Sequence, residues 1–165
     1  VSATFAEGGR ADLGRVRSDG YLRFLVNELK PFVDATYRTL PDQPNTLVMG
    51  SSMGGLISLY ALEQYPDVFG GAGCLSTHWP AGGDLLVDYM GQHLPPPGRH
   101  KLYFDYGTAT LDAEYEPYQL RMDGRLAAAG YTRDVDWITL KFAGAEHNEA
   151  AWRARVDGPL RFLLA

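Results

Sequence analysis

Ser52 lies in VMGSSMGGL, Val48 to Leu56, at the centre of a Gly-x-Ser-x-Gly frame formed with Gly50 and Gly54. The frame follows an apolar run and opens an amphipathic helix, the setting in which this pattern carries a nucleophile. A tight strand-to-helix turn strains the serine backbone and pushes its hydroxyl clear of the sheet. The helix N-terminus then offers unpaired N–H groups to a developing oxyanion, with the Met53 N–H as first donor. Residues two before and two after the serine are expected to crowd each other, which accounts for both glycines. Ser51 is off-centre in the frame, so Ser52 is the expected nucleophile.

A serine hydroxyl is a weak nucleophile unless a base removes its proton and an acid orients that base. His147 fits the base: it sits in Gly144-Ala145-Glu146-His147-Asn148-Glu149, after the apolar run ending at Phe142 and before the last helix. His93 and His100 flank the break Pro95-Pro96-Pro97-Gly98 and read as surface residues. The four histidines show no metal-ligand spacing, so neither a zinc site nor any other cofactor is expected. The orienting acid should follow the strand KLYFDY, which leaves Asp105, Asp112, Glu114 and Glu116. Asp105 falls inside the strand pattern. Asp112 is favoured over the other three because it lies in the loop beyond.

These residues need elements to bring them together. From Gly20 a helical stripe of Leu22, Leu25, Leu29, Phe32 and Val33 predicts a helix, with Pro31 kinking it or starting a second one. Strands are expected at 45–50, 70–76, 101–106 and 134–142. Helices are expected through 56–62, ending before Pro66, and near 84–93. Tyr115–Ala129 should form another, with Pro117 in its first turn, and a last helix should carry Trp152, Val156, Leu160 and Leu163 on one face. Strands alternating with helices imply parallel βαβ units in one sheet four strands wide. Residues 1–19 read as an irregular lead-in, and 20–165 as a single domain.

With 165 residues, 45% apolar and 21% charged, the composition is that of a globular domain with a substantial core. A net charge of −5 with no Lys/Arg cluster argues against a nucleic-acid partner, and no apolar run reaches the length of a membrane span. The lone Cys74 excludes an intrachain disulfide and reads as a small apolar core residue.

GSSMGGLISLYAL, CLSTHWP, LYFDYGTATLDAEYEPYQ and GAEHNEAAWRARVDGPLRFLL resemble the putative esterase family of α/β-hydrolases, which includes esterase D, feruloyl and enterochelin esterases and mycolyltransferases. YLRFLVNELKPFVDATYRT resembles the family's helix before the elbow strand, so the likeness runs from about Tyr21 to Leu164. It implies an α/β-hydrolase-type three-layer fold with a short, mainly parallel sheet, and Ser52, an aspartate and His147 as the catalytic set. It also implies a substrate pocket near Ser51, His78 and Trp79. The family carries further strands before the elbow, and a loop there supplies a second oxyanion donor. Their apparent lack here would leave the strand at 45–50 as an apolar edge, open to a second copy or a missing N-terminal half. Losing one oxyanion donor costs about 10²–10³ in turnover. The expected activity is hydrolysis of short-chain or aryl carboxylic esters through an acyl-enzyme. Acyl transfer, or a non-catalytic assembly module, are the alternatives.

Overall fold

The structure, a computed structural model, describes residues 17–165. The lead-in expected over 1–19 lies outside the described residues as far as residue 16. The chain forms two compact units, Val1–Asp42 and Gln43–Ala165.

In the first unit the described residues form α1 (Ser18–Phe24), a π-turn (Leu25–Leu29) and α2 (Lys30–Thr36). Pro31 has no N–H to continue the helical ladder, and the π-turn directly before it absorbs the defect. The Lys30 N–H reaches back five residues to the Leu25 carbonyl, so the helix continues in register without a separate start. Lys30 also pairs with Asp34 at 2.6 Å one turn on.

The second unit holds one parallel sheet in the order β1 (Leu47–Ser51), β2 (Gly71–Leu75), β3 (Lys101–Gly107), β4 (Trp137–Phe142). The crossovers contain α3 (Met53–Gln64), α4 (Gly83–Gln92) and α5 (Glu116–Ala128), and α6 (Glu149–Arg155) and α7 (Asp157–Leu164) follow β4. Parallel strands buried on both faces read as unbroken small and apolar runs. That is why GAGCL of β2 is buried at every position.

Side chains of β3 alternate between the two faces. Phe104 faces Trp79, whose ring stacks on it at 6.4 Å, and the Trp79 indole N–H donates to Gln119 of α5. Tyr103 and Asp105 face the other way, where Tyr103 packs with Leu75 and with Leu163 of α7. Helices therefore cover both faces, and burying a side chain such as Phe104 or Leu163 stabilises the fold by about 1.5–3 kcal/mol. Sequential order with a helix between each strand pair has a geometric consequence. The carboxyl ends of all four strands open on one rim, where the loops after β1, β2, β3 and β4 meet.

Two expected elements differ. The strand foreseen over 134–142 starts at Trp137, because residues 132–136 form a tight turn. Asp134 there adopts φ +62°, and its N–H donates to the Trp137 carbonyl. The single last helix is two, broken at Val156. Pro159 becomes the third residue of α7, where its missing N–H has no helical acceptor to lose.

Candidate active site

Ser52 stands between β1 and α3 at φ 58°, ψ −121°, a conformation that costs a non-glycine residue about 1–3 kcal/mol. Its surroundings hold it there. The Ser52 N–H extends the sheet pairing to the Leu75 carbonyl at 2.8 Å, and its carbonyl accepts from Gly55, Leu56 and His78. A Cβ at Gly50 would lie 2.7 Å from the backbone carbonyl of Gly54, whereas one at Gly54 would meet nothing within 4 Å. The crowding expected of both glycines thus applies to Gly50 alone. Met53 and Gly54, first in α3, have N–H groups with no intrahelical acceptor.

The loops after β3 and β4 are fastened together by backbone. The N–H groups of Thr108 and Ala109 both donate to the Ala145 carbonyl, at 3.1 and 3.0 Å. Gly107 permits this approach, since any Cβ there would collide with the Ala145 carbonyl. Thr108 Oγ1 accepts from the Gly144 N–H, and Thr110 Oγ1 accepts from the His147 N–H at 2.9 Å. On the far side of His147, the Asn148 side chain caps α6 by accepting from the Ala151 N–H at 2.9 Å. His147 is thereby held by its backbone on both sides.

Between these loops three side chains join in one chain of hydrogen bonds. His147 Nε2 is 2.9 Å from Ser52 Oγ, and His147 Nδ1 is 2.5 Å from Asp112 Oδ1. The tautomer that satisfies both contacts has Nδ1–H donating to the carboxylate and Nε2 accepting from the serine hydroxyl. Asp112 is fully buried, and its Oδ2 accepts from the Gly107 N–H at 2.6 Å. The other candidate acids are engaged elsewhere or face solvent. Asp105 pairs with Arg155, Glu116 with Lys141, and Glu114 is exposed. Such an arrangement can pass a proton from a serine hydroxyl to an oriented imidazole.

Three aromatic rings fence the imidazole. Trp152, Tyr115 and His78 meet it edge-on at centroid distances of 5.0, 5.5 and 6.3 Å. The Tyr115 hydroxyl lies 2.6 Å from His78 Nδ1, and burial pushes that hydroxyl's pKa well up. Of the residues expected to line a pocket, His78 is half-buried beside His147, and Ser51 ends β1 opposite Leu75. Trp79 does not line one: at 1% exposure its indole is enclosed between Phe104 and Gln119, so the ring is core packing. Thr110, Ser76 and Arg155 were not singled out from the sequence, and all three support the site from behind. A separate cleft of about 390 Å³, lined by Phe142, Gly144, Glu146, Ala151 and Arg155, opens beside the His147 loop and includes neither Ser52 nor His147. Among the described residues no cluster of His, Cys, Asp and Glu could hold a metal, and no helix is long and apolar enough to cross a membrane.

A parallel sheet with a left-handed serine between strand and helix, facing a histidine and an aspartate from later loops, defines the α/β-hydrolase class. The sequence profile described as Putative esterase matches residues 10–163, and the chain belongs to that family. Ferri-bacillibactin esterase BesA of Bacillus subtilis is 36% identical over 64 residues, covering 38% of this chain and 22% of that protein. An IroE-like serine hydrolase from Shewanella oneidensis superposes with a TM-score of 0.72 at 16% identity, over 94% of this chain and 51% of that one. The enterobactin esterase FES of Shigella flexneri gives a TM-score of 0.68 at 21% identity, over 89% and 38% respectively. The likeness to the solved structures is one of fold. The chain matches about a quarter of the length of its curated relatives.

Proposed function

We propose that this chain is a serine carboxylesterase, with Ser52 as nucleophile, His147 as general base and acid, and Asp112 as the group that orients it. The observation that carries the reading is the unbroken hydrogen-bonded path from Ser52 Oγ through both His147 nitrogens to Asp112 Oδ1. In the first half-reaction Ser52 Oγ attacks the ester carbonyl while its proton moves to His147 Nε2. The tetrahedral oxyanion is stabilised by the Met53 N–H at the start of α3. The C–O bond to the alcohol then breaks, and the leaving oxygen takes the proton from Nε2. Water repeats the sequence on the acyl-enzyme, releasing the carboxylic acid and restoring Ser52.

Family membership supports ester hydrolysis, and the similar proteins are named as ferri-bacillibactin, enterobactin and ferulic acid esterases. Short-chain and aryl esters are therefore the substrate class we assign, with a pocket beginning at Ser51 and His78. The test is p-nitrophenyl acetate and butyrate turnover by the parent chain beside Ser52→Ala. Loss of a nucleophile removes the acyl-enzyme route, and turnover should fall by at least about 10³-fold. Equal turnover by the two proteins would sink the assignment.

A further inference from the structure

Behind Asp112 lies a hub that the proton path itself does not use. Ser76 follows β2, is fully buried and adopts φ +41°. Its hydroxyl oxygen meets three groups: Asp112 Oδ2 at 2.6 Å, Arg155 Nη2 at 2.8 Å and Trp152 Nε1 at 3.0 Å. An indole N–H and a guanidinium can only donate, so together they occupy both acceptor sites of the hydroxyl. The one hydroxyl hydrogen is left for Asp112 Oδ2. The direction of that bond follows from donor chemistry alone.

The guanidinium that helps set this direction is itself held back. Arg155 is buried, lies against the Phe142 ring, and binds Asp105 Oδ1 at 3.0 Å while staying 3.9 Å from Asp112 Oδ2. The second oxygen of Asp105 accepts from the Tyr103 hydroxyl, and its first also lies 3.2 Å from the Ser76 N–H. One buried cation therefore stands between two buried carboxylates, tied to Asp105, the nearer of the two and the one that does not touch His147. Freed from Asp105, Arg155 would close on Asp112 in the forked geometry that guanidinium and carboxylate prefer, competing with His147 for the same oxygens. Burial pushes the Asp105 carboxyl up from its usual range against the pull of Arg155, so the pair is held at some electrostatic cost. Pairs of this kind are weak sources of stability, and their position here gives them another use.

We propose that Ser76 is the positioning residue for Asp112, its hydroxyl aimed by Trp152 and by an Arg155 that Asp105 keeps off the catalytic carboxylate. The proposal rests on the Ser52–His147–Asp112 reading, and the experiment separates the two. The variants are Ser76→Gly, which glycine accommodates at this φ without strain, and Asp105→Asn, read beside Ser52→Ala. Turnover of p-nitrophenyl acetate, melting temperature and the downfield proton signal of the His147 Nδ1–H are measured for each. In Ser76→Gly, kcat should fall about 10- to 100-fold, part of what a well-placed general base contributes. KM should stay near the parental value and the downfield signal should move or broaden, while the melting temperature reads the strain relieved at φ +41° against the hydrogen bonds lost by Trp152 and Arg155. Asp105→Asn should move the same signal through the released Arg155. A parental downfield signal in Ser76→Gly overturns the proposal, whatever the rate does. Abolished turnover in Ser52→Ala with parental kcat in Ser76→Gly overturns it while leaving the nucleophile in place, and parental turnover in Ser52→Ala removes the nucleophile itself.

Discussion

At Gly50 an added Cβ would press on the Gly54 carbonyl, whereas at Gly54 it would point into open space. The two glycines of the elbow should therefore respond differently. Gly50→Ala forces the turn apart and should destabilise by about 1–3 kcal/mol, as overpacking does, with turnover lost as Ser52 shifts. Gly54→Ala should melt close to the parent. Thermal unfolding of both variants checks this, and equal losses would contradict it. Ser52 and His147 were legible because each announces itself locally, by glycine spacing or by its place between a strand and a capped helix. Asp112 was narrowed to a loop but shared it with other carboxylates, and only contact with His147 separates them. Ser76 and Arg155 carried no local signal, since they are 79 residues apart and meet only across the assembled rim.

Among the elements, α6 bears directly on the site because it starts one residue beyond the His147–Asn148 pair. Replacing the Asn148 cap by alanine should cost about 1 kcal/mol. Asn148→Asp, which keeps an acceptor for the Ala151 N–H, should recover most of that. Chemical denaturation of the two variants measures the difference, and equal stability of Asn148→Ala and the parent would dismiss the cap. The division between α6 and α7 was hidden because Trp152, Val156, Leu160 and Leu163 keep helical spacing straight through the break. The apolar stripe records which face is buried, but not whether the ladder is continuous. Leu160, one of the stripe, is in fact 43% exposed. The parallel βαβ units could be read from alternation alone, though not the order of the strands. The late start of β4 could not, since DVD looks like strand until the Asp134 turn closes.

For the molecule as a whole, β1 and β4 are the two edges of the sheet among the described residues, and β1 is the more apolar of the two. Among the described residues it pairs only with β2, and Met49 on it is 40% exposed. A strand of this kind offers a row of backbone donors and acceptors to another chain. We expect a second copy to pair along β1, giving concentration-dependent self-association in sedimentation velocity. Met49→Lys, a charge of the sort that protects natural edges, should abolish it. A parent that sediments as a monomer at every concentration would rule this out.

Among the described residues, three of the four non-glycine residues with left-handed backbone, Ser52, Ser76 and Thr110, follow three successive strands. Each lends a side-chain oxygen to the neighbourhood of Asp112 and His147. At about 1–3 kcal/mol apiece, their combined strain is a sizeable share of the 5–15 kcal/mol that typically separates folded from unfolded. Glycine at any of the three would relax the backbone and remove a working oxygen. At these three positions the rim therefore trades backbone ease for the placement of an oxygen, and glycine would reverse the trade.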